Sequence, residues 1–212
     1  MIVDAVLNPL QQDTLTEFFN IAMGRAAATL SRMVSEEVSL SVPQMRFVRR
    51  SEAADLIGAT EDRVCSVMQT LRGHFAADAM LIFPETRSLE IVRVMIGDTL
   101  PLEDITEMEQ EAMTEVGNII LNACIGTLSN LLDGDFTIGL PSFRVGSCSE
   151  ILNGFRPALD ELVLLLHINF SVERYAIQGY VVFLQDVAAF SSFVESIDRF
   201  LERAMNGAGA GM

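Results

Sequence analysis

Two short patterns set a carboxylate beside an amide: Glu17 with Asn20, and Glu115 with Asn118. At i, i+3 spacing both members of a pair project from one face of a helix. An acidic residue stands four positions ahead of each pair, Asp13 in the first and Glu111 in the second. Small residues follow: Gly24, Ala28 and Ser31 in one copy, Gly126 and Ser129 in the other. They let a partner surface approach closely, with the carboxylate and the amide standing above them. Asn is also a poor residue for the middle of a helix, because its amide competes for backbone hydrogen bonds. Finding it twice at equivalent places asks for a reason. Either each pair meets a group outside the chain, or each Asn ties its helix to a loop and each Glu merely solvates the helix. As exposed helix-face amides, both should be replaceable by Ala without loss of stability.

No Ser or Cys stands with a base partner as a nucleophile would, and no Gly-rich phosphate loop is present. His74 and His167 each stand alone in a strand-like run, which argues against a His-based metal site. Cys65, Cys124 and Cys148 are an odd number at wide spacing and read as buried thiols of a reducing compartment.

The elements that position the two pairs come from an internal repeat. The segment from Asp13, DTLTEFFNIAMGRAAATLSRMVSEEVSLSVPQMR, aligns without a gap on the segment from Glu111, EAMTEVGNIILNACIGTLSNLLDGDFTIGLPSFR, at an offset of 98 residues. Thr16/Thr114, Glu17/Glu115, Asn20/Asn118, Leu30/Leu128, Ser31/Ser129, Pro43/Pro141 and Arg46/Arg144 are identical pairs. Each copy opens with a long helix, over roughly Pro9–Val34 and Ile105–Leu132. On a wheel at about 100° per residue, Leu15, Phe18, Phe19, Ala22, Ala26, Leu30 and Met33 share the apolar face of the first helix, while Asp13, Glu17, Asn20, Gly24 and Ser31 form the opposite stripe. The second helix repeats this, with Val116, Ile120, Cys124, Leu128 and Leu131 against Glu111, Glu115, Asn118, Asn122 and Ser129.

A strand containing Pro43 or Pro141 follows each helix, and there a proline marks a sheet edge or a strand start. Hairpins follow, over Asp62–Phe83 turning at Arg72-Gly73 and over Glu161–Leu184 turning near Glu173-Arg174. Each half closes on a short amphipathic helix, near Glu85–Val94 and Ala188–Ala204. The reading is a single α/β (α+β) domain of two repeats, about 10–98 and 108–203, with a pseudo-twofold, a largely antiparallel sheet and both long helices on one face. The Gly/Ala-rich residues 206–212 read as a flexible tail.

Composition narrows the function. A formal net charge of −15 disfavours nucleic acid and anionic membrane surfaces as partners. No apolar run approaches the roughly 20 residues of a membrane helix, and the first residues carry neither a basic start nor a signal-peptide core, so a cytoplasmic location is expected.

The order Asp or Ser, three residues, Glu, two residues, Asn, twenty-two residues, Pro resembles the signature of the CheC/CheX/FliY family of chemotaxis phosphatases. Asp13, Glu17, Asn20 and Pro43 match it in full; Glu115, Asn118 and Pro141 match in the second copy, where Glu111 replaces the Asp or Ser. NIAMGRAAATLS and EVGNIILNACIGTLS are also similar to this family, and the resemblance covers about residues 10–203. Two motif copies resemble CheC more than CheX, which carries one. FliY-type proteins add a flagellar-switch domain and usually an N-terminal docking segment, so a stand-alone CheC type is expected.

The resemblance implies hydrolysis of the aspartyl-phosphate of a CheY-like response regulator. Asn20 and Asn118 would each donate to and accept from the attacking water, and Glu17 and Glu115 would pair with the regulator's active-site lysine. Asp13 and Glu111 would support them. Mg²⁺ would belong to the regulator, leaving this chain without a metal or cofactor of its own. The implied partners are the phosphorylated receiver domain and a CheD-like protein. The alternative is a non-catalytic module that sequesters phosphorylated regulator or binds a CheD-like adaptor.

Overall fold

The computed structural model describes residues 7–59, 63–73, 76–96, 105–132, 134–154, 162–172, 175–185 and 187–209. Along the chain run α1 (Pro9–Val34), β1 (Val38–Arg49), α2 (Arg50–Gly58), β2 (Val64–Gly73), β3 (Ala77–Pro84), α3 (Glu85–Ile96), α4 (Ile105–Leu132), β4 (Phe136–Ile138), β5 (Ser142–Gly146), α5 (Cys148–Asn153), β6 (Leu162–Val172), β7 (Tyr175–Gln185) and α6 (Val187–Gly209). The sequence of element types runs twice, with β1 answered by the broken pair β4 and β5. Both long helices have the bounds read from the apolar period. The last pair of the first hairpin is Leu71–Ala77, so Arg72-Gly73 lie in its connection, where they pair with β4; the turn at Glu173-Arg174 lies outside the described residues, as does His74.

The strands join one seven-stranded antiparallel sheet among the described residues, in the order β1-β6-β7-β3-β2-β4, with β5 also on β2. The halves exchange their first strands: β1 pairs with β6 of the second repeat, while β4 and β5 pair with β2 of the first. The two hairpins meet at the centre, where Met80 faces Val182 and Leu81 faces Val181. Swapping each element for its repeat partner reverses the strand order and leaves the pairings unchanged, as a twofold requires.

Strand alternation divides the core. Leu164, Leu166, Ile168, Phe170 and Val172 of β6 face the long helices; Val163 and Leu165 face the other way. The first face is covered by α1, α4, α3 and α6, with Phe19 beside Phe183 at 5.9 Å and Phe18 edge-on to Phe200 at 5.1 Å. On the second face, Ala53 and Ile57 of α2 and Cys148, Ile151 and Leu152 of α5 cover Val48, Val64, Met80, Ile82 and Val182. These two short helices were not read from the sequence, being too brief to show a period. The Ser147–Glu150 capping box that opens α5 was the available signal.

Two further expectations change. Met33 has the right angle on the wheel but lies in the last turn of α1, where it remains 49% exposed. The tail read as flexible from Asn206 continues α6 as far as Gly209, in keeping with the helix preference of alanine; residues 210–212 lie outside the described residues. No helix among the described residues is long and apolar enough to cross a membrane.

Helix α4 lies tight against the sheet at Gly117, where an added Cβ would come within 2.4 Å of the Val67 side chain. Phe19 holds the corresponding place on α1. Gly117→Ala is therefore expected to destabilise by about 1–3 kcal/mol through overpacking, less roughly 1 kcal/mol of gained helix propensity. Gly24 and Gly126 have nothing within 4 Å of an added Cβ. Alanine at either should stabilise by roughly 0.5–1 kcal/mol. Thermal melting of the three variants checks the contrast, and equal melting temperatures would refute it.

Candidate active site

Each candidate pair is set by the burial of its own helix. In α1, Asn8 and Gln11 form a capping box, with Gln11 N donating to Asn8 Oδ1 at 3.0 Å and Asn8 N to Gln11 Oε1 at 2.7 Å, and Pro9 supplies the first turn. Leu15, Phe19, Ala22, Met23, Ala26 and Leu30 are buried, which fixes the helix phase and turns Asp13, Glu17 and Gly24 outward. In α4, Met113, Val116, Ile120, Cys124 and Leu128 are buried, and Glu111 and Glu115 are exposed. Among the described residues none of these four carboxylates has a basic partner, so each is open to a cation from outside.

Asn20 and Asn118 sit at the margin of the stripe, half-buried. The first bonds to the sheet: Val42 N donates to Asn20 Oδ1 at 3.1 Å. That backbone donor is available where β1 departs from regular pairing. The register shifts between Ser41 and Gln44, around Pro43, which has no N–H of its own. Ser31 makes a second tie, accepting from Val38 N at 2.9 Å. Asn118 is held differently. Its Oδ1 accepts from Gln69 Nε2 at 3.0 Å and from Asn122 Nδ2 at 2.8 Å. Pro141 lies between β4 and β5, within the segment corresponding to the β1 irregularity.

The two amides share one electrostatic arrangement. In both, the carbonyl end is engaged inside the protein, and the Nδ2 donor has no acceptor among the described residues. The idea that each Asn ties its helix to a loop changes: the carbonyl ends meet strand residues, Val42 of β1 and Gln69 of β2, and at Asn118 also Asn122 of the same helix. The expectation that each amide both donates to and accepts from a water narrows to donation alone at Asn118, where both lone pairs of Oδ1 are filled; Asn20 Oδ1 takes one donor and keeps a second lone pair. Free substitution by Ala is also corrected at Asn20, since removing Oδ1 would strand the N–H of buried Val42.

Gln69 had no signal in the sequence beyond being polar within an apolar strand. It is 2% exposed, and its Oε1 is buried with no hydrogen-bond partner among the described residues. Burial pushes the thiols of Cys65 and Cys124 up to about 12, so neither supplies a thiolate near neutral pH. No group of three or more His, Cys, Asp or Glu side chains among the described residues could hold a metal ion. His167 stacks on Tyr180 at 5.3 Å, and both line a hollow with Gln44, Arg46 and Gln178 on the face away from the long helices. The Glu–Asn pairs instead lie on the outer surface of α1 and α4, a setting suited to a protein partner.

No family model matches the chain. The flagellar motor switch phosphatase FliY of Bacillus subtilis (strain 168) is 22% identical over 168 residues, covering 78% of this chain and 44% of the relative. The chain thus spans less than half the length of that curated relative. The crystal structure of Thermotoga maritima FliY matches at a TM-score of 0.70 and 18% identity, covering 92% of this chain and 99% of that one. CheX from Desulfovibrio desulfuricans matches at 0.51 and 18%, over 81% and 99%. FliM in the FliG–FliM complex of H. pylori has the same fold at 0.64 with only 8% identity, over 89% and 100%. The chain thus has the fold of FliY and CheX and is similar in sequence to FliY, in agreement with the doubled Glu–Asn motif.

Proposed function

We propose that the chain hydrolyses the aspartyl-phosphate of a CheY-like response regulator, as a CheC-type phosphatase of chemotaxis signalling acting in the cytoplasm. The carrying observation is that both motif amides are anchored through Oδ1 and that Nδ2 has no acceptor among the described residues. An anchored amide is a preorganised donor. It takes the attacking water by one lone pair and leaves the other directed at phosphorus, so orientation replaces general-base chemistry. Aspartyl-phosphate is already an activated acyl phosphate and needs little more than an in-line water. Glu17 and Glu115, exposed and without basic partners among the described residues, receive the regulator's lysine and set the docking register. Asp13 and Glu111 add negative potential on the same stripes. Mg²⁺ is carried by the regulator.

The binding-module reading has one observation in its favour. The same fold occurs in a FliM captured with FliG, so the scaffold also serves assembly between proteins. Turnover separates the two. Mixing the purified chain with a phosphorylated receiver domain should speed loss of phosphate, whereas a sequestering module would slow it or leave it unchanged.

Substitution by Asp isolates the proposed donor. Asn20→Asp and Asn118→Asp keep an oxygen for Val42 N and Gln69 Nε2 but lose the N–H. Together they should cost on the order of 100- to 1000-fold in turnover with little change in melting temperature. Asn20→Ala should in addition lose about 1 kcal/mol of stability through the stranded backbone donor. Wild-type turnover in the double Asp variant would refute the mechanism.

Glu17→Lys and Glu115→Lys should act on docking. Placing a cation against the regulator's lysine should weaken binding by about tenfold or more for the doubly substituted chain, read by titration calorimetry against a receiver domain carrying a phosphoryl mimic. Unchanged affinity would remove these carboxylates from the interface.

A further inference from the structure

We propose that Gln69 is the positioning residue of the second site, the side chain that holds Asn118 with Nδ2 free for water. The inference deepens the phosphatase reading and rests on it. Gln69 belongs to β2 of the first repeat and Asn118 to α4 of the second, so this site is assembled across the two halves.

Three observations carry it. At the first site the anchoring donor is a backbone N–H, that of Val42, which is 4% exposed. Leu140 holds the equivalent place twenty-two residues after Asn118, yet it is 92% exposed. The strand is interrupted there, and the N–H of neighbouring Gly139 donates instead to Thr70 O at 2.8 Å. No backbone N–H among the described residues donates to Asn118, and Gln69 Nε2 supplies a donor at 3.0 Å.

The position itself favours an apolar residue. Cys65 and Leu71 of β2 face the long helices as Leu164 and Phe170 of β6 do, which places Gln69 where the other repeat has Ile168, wholly buried. Gln69 leaves Oε1 buried and without a hydrogen-bond partner among the described residues, a desolvation cost that an isoleucine would not carry. A buried polar group that works against stability and makes its bond to a site residue points to a role in the site. Asn122, one turn beyond Asn118, fills the second lone pair of the same oxygen at 2.8 Å from an exposed position. The rigid member of the pair of donors is the buried one.

The test reads the second site alone, in the Asn20→Asp chain. There Gln69→Ile, and Gln69→Met as a second apolar variant of closer shape, should lower kcat for dephosphorylation of a phosphorylated receiver domain at least tenfold. KM should stay within about twofold and the melting temperature should be equal or higher. A purely structural role would instead lower the melting temperature together with the rate. Turnover equal to that of the Asn20→Asp chain overturns the inference, and so does a rate loss matched by a loss of melting temperature. An Asn20→Asp chain with no turnover overturns it as well, since Gln69 would then have no reaction to position. Failure of the phosphatase reading is distinct: it appears in the wild-type chain, before any substitution, as no acceleration of phosphate loss.

Discussion

The seam between β3 and β7 is the pairing on which the rest of the structure depends. It joins the two hairpins into one sheet through an antiparallel run from Ala77–Gln185 to Ile82–Tyr180. Because side chains alternate along a strand, this register decides which residues of both halves face the long helices. A shift by one residue would set Leu81 opposite Val182, so that with Leu81 and Phe83 still facing α1 and α4, Val181 and Phe183 would turn away and Val182 and Leu184 would turn toward the helices. The seam therefore sets the common surface on which both motif helices lie, and with it the side of the molecule that carries the two Glu–Asn pairs.

Much of this arrangement was legible in the residues. The helices α1 and α4 are long enough for their apolar period to fix both ends, and a helix phase fixed by Leu15, Phe19 and Leu30, or by Val116, Ile120 and Leu128, sends Glu17 and Glu115 outward without further information. The hairpin strands were visible as dense apolar runs. Illegible were features that depend on distant parts of the chain meeting. The exchange of first strands is one, since nothing local in Val38–Arg49 says that its partner is β6. The anchoring of the amides is another. The Asn20–Val42 bond needs the irregularity around Pro43 to be built, and the Gln69–Asn118 bond needs strand and helix from different repeats to be packed together.

The two sites show how one chemical requirement can be met by unlike means. A repeat preserves the side chain that faces the partner more readily than the support behind it. Asn and Glu recur in register, while the residue packed against the sheet just before each Asn differs, Phe19 in one helix and Gly117 in the other. Gly117 lets α4 settle onto Val67, and this closer approach brings Asn118 within reach of a side chain on β2. At α1, with Phe19 as spacer, the backbone of β1 is the donor. Packing distance between helix and sheet thus accompanies the choice between a main-chain and a side-chain support.

The exchanged first strands also constrain how the chain can fold as it is made. Val38 pairs with Val172 and Arg49 with Leu162, so β1 leaves the ribosome long before its partner exists. At roughly 5–20 residues per second, the wait is on the order of ten seconds. Throughout it the first repeat holds α1 and a strand with no sheet to join, and its own hairpin lacks both flanking strands. Neither repeat can close by itself, and the contacts that complete the sheet are among the most distant in sequence, which makes them late and slow to form. The sheet can be completed only after β6 and β7 have been synthesised.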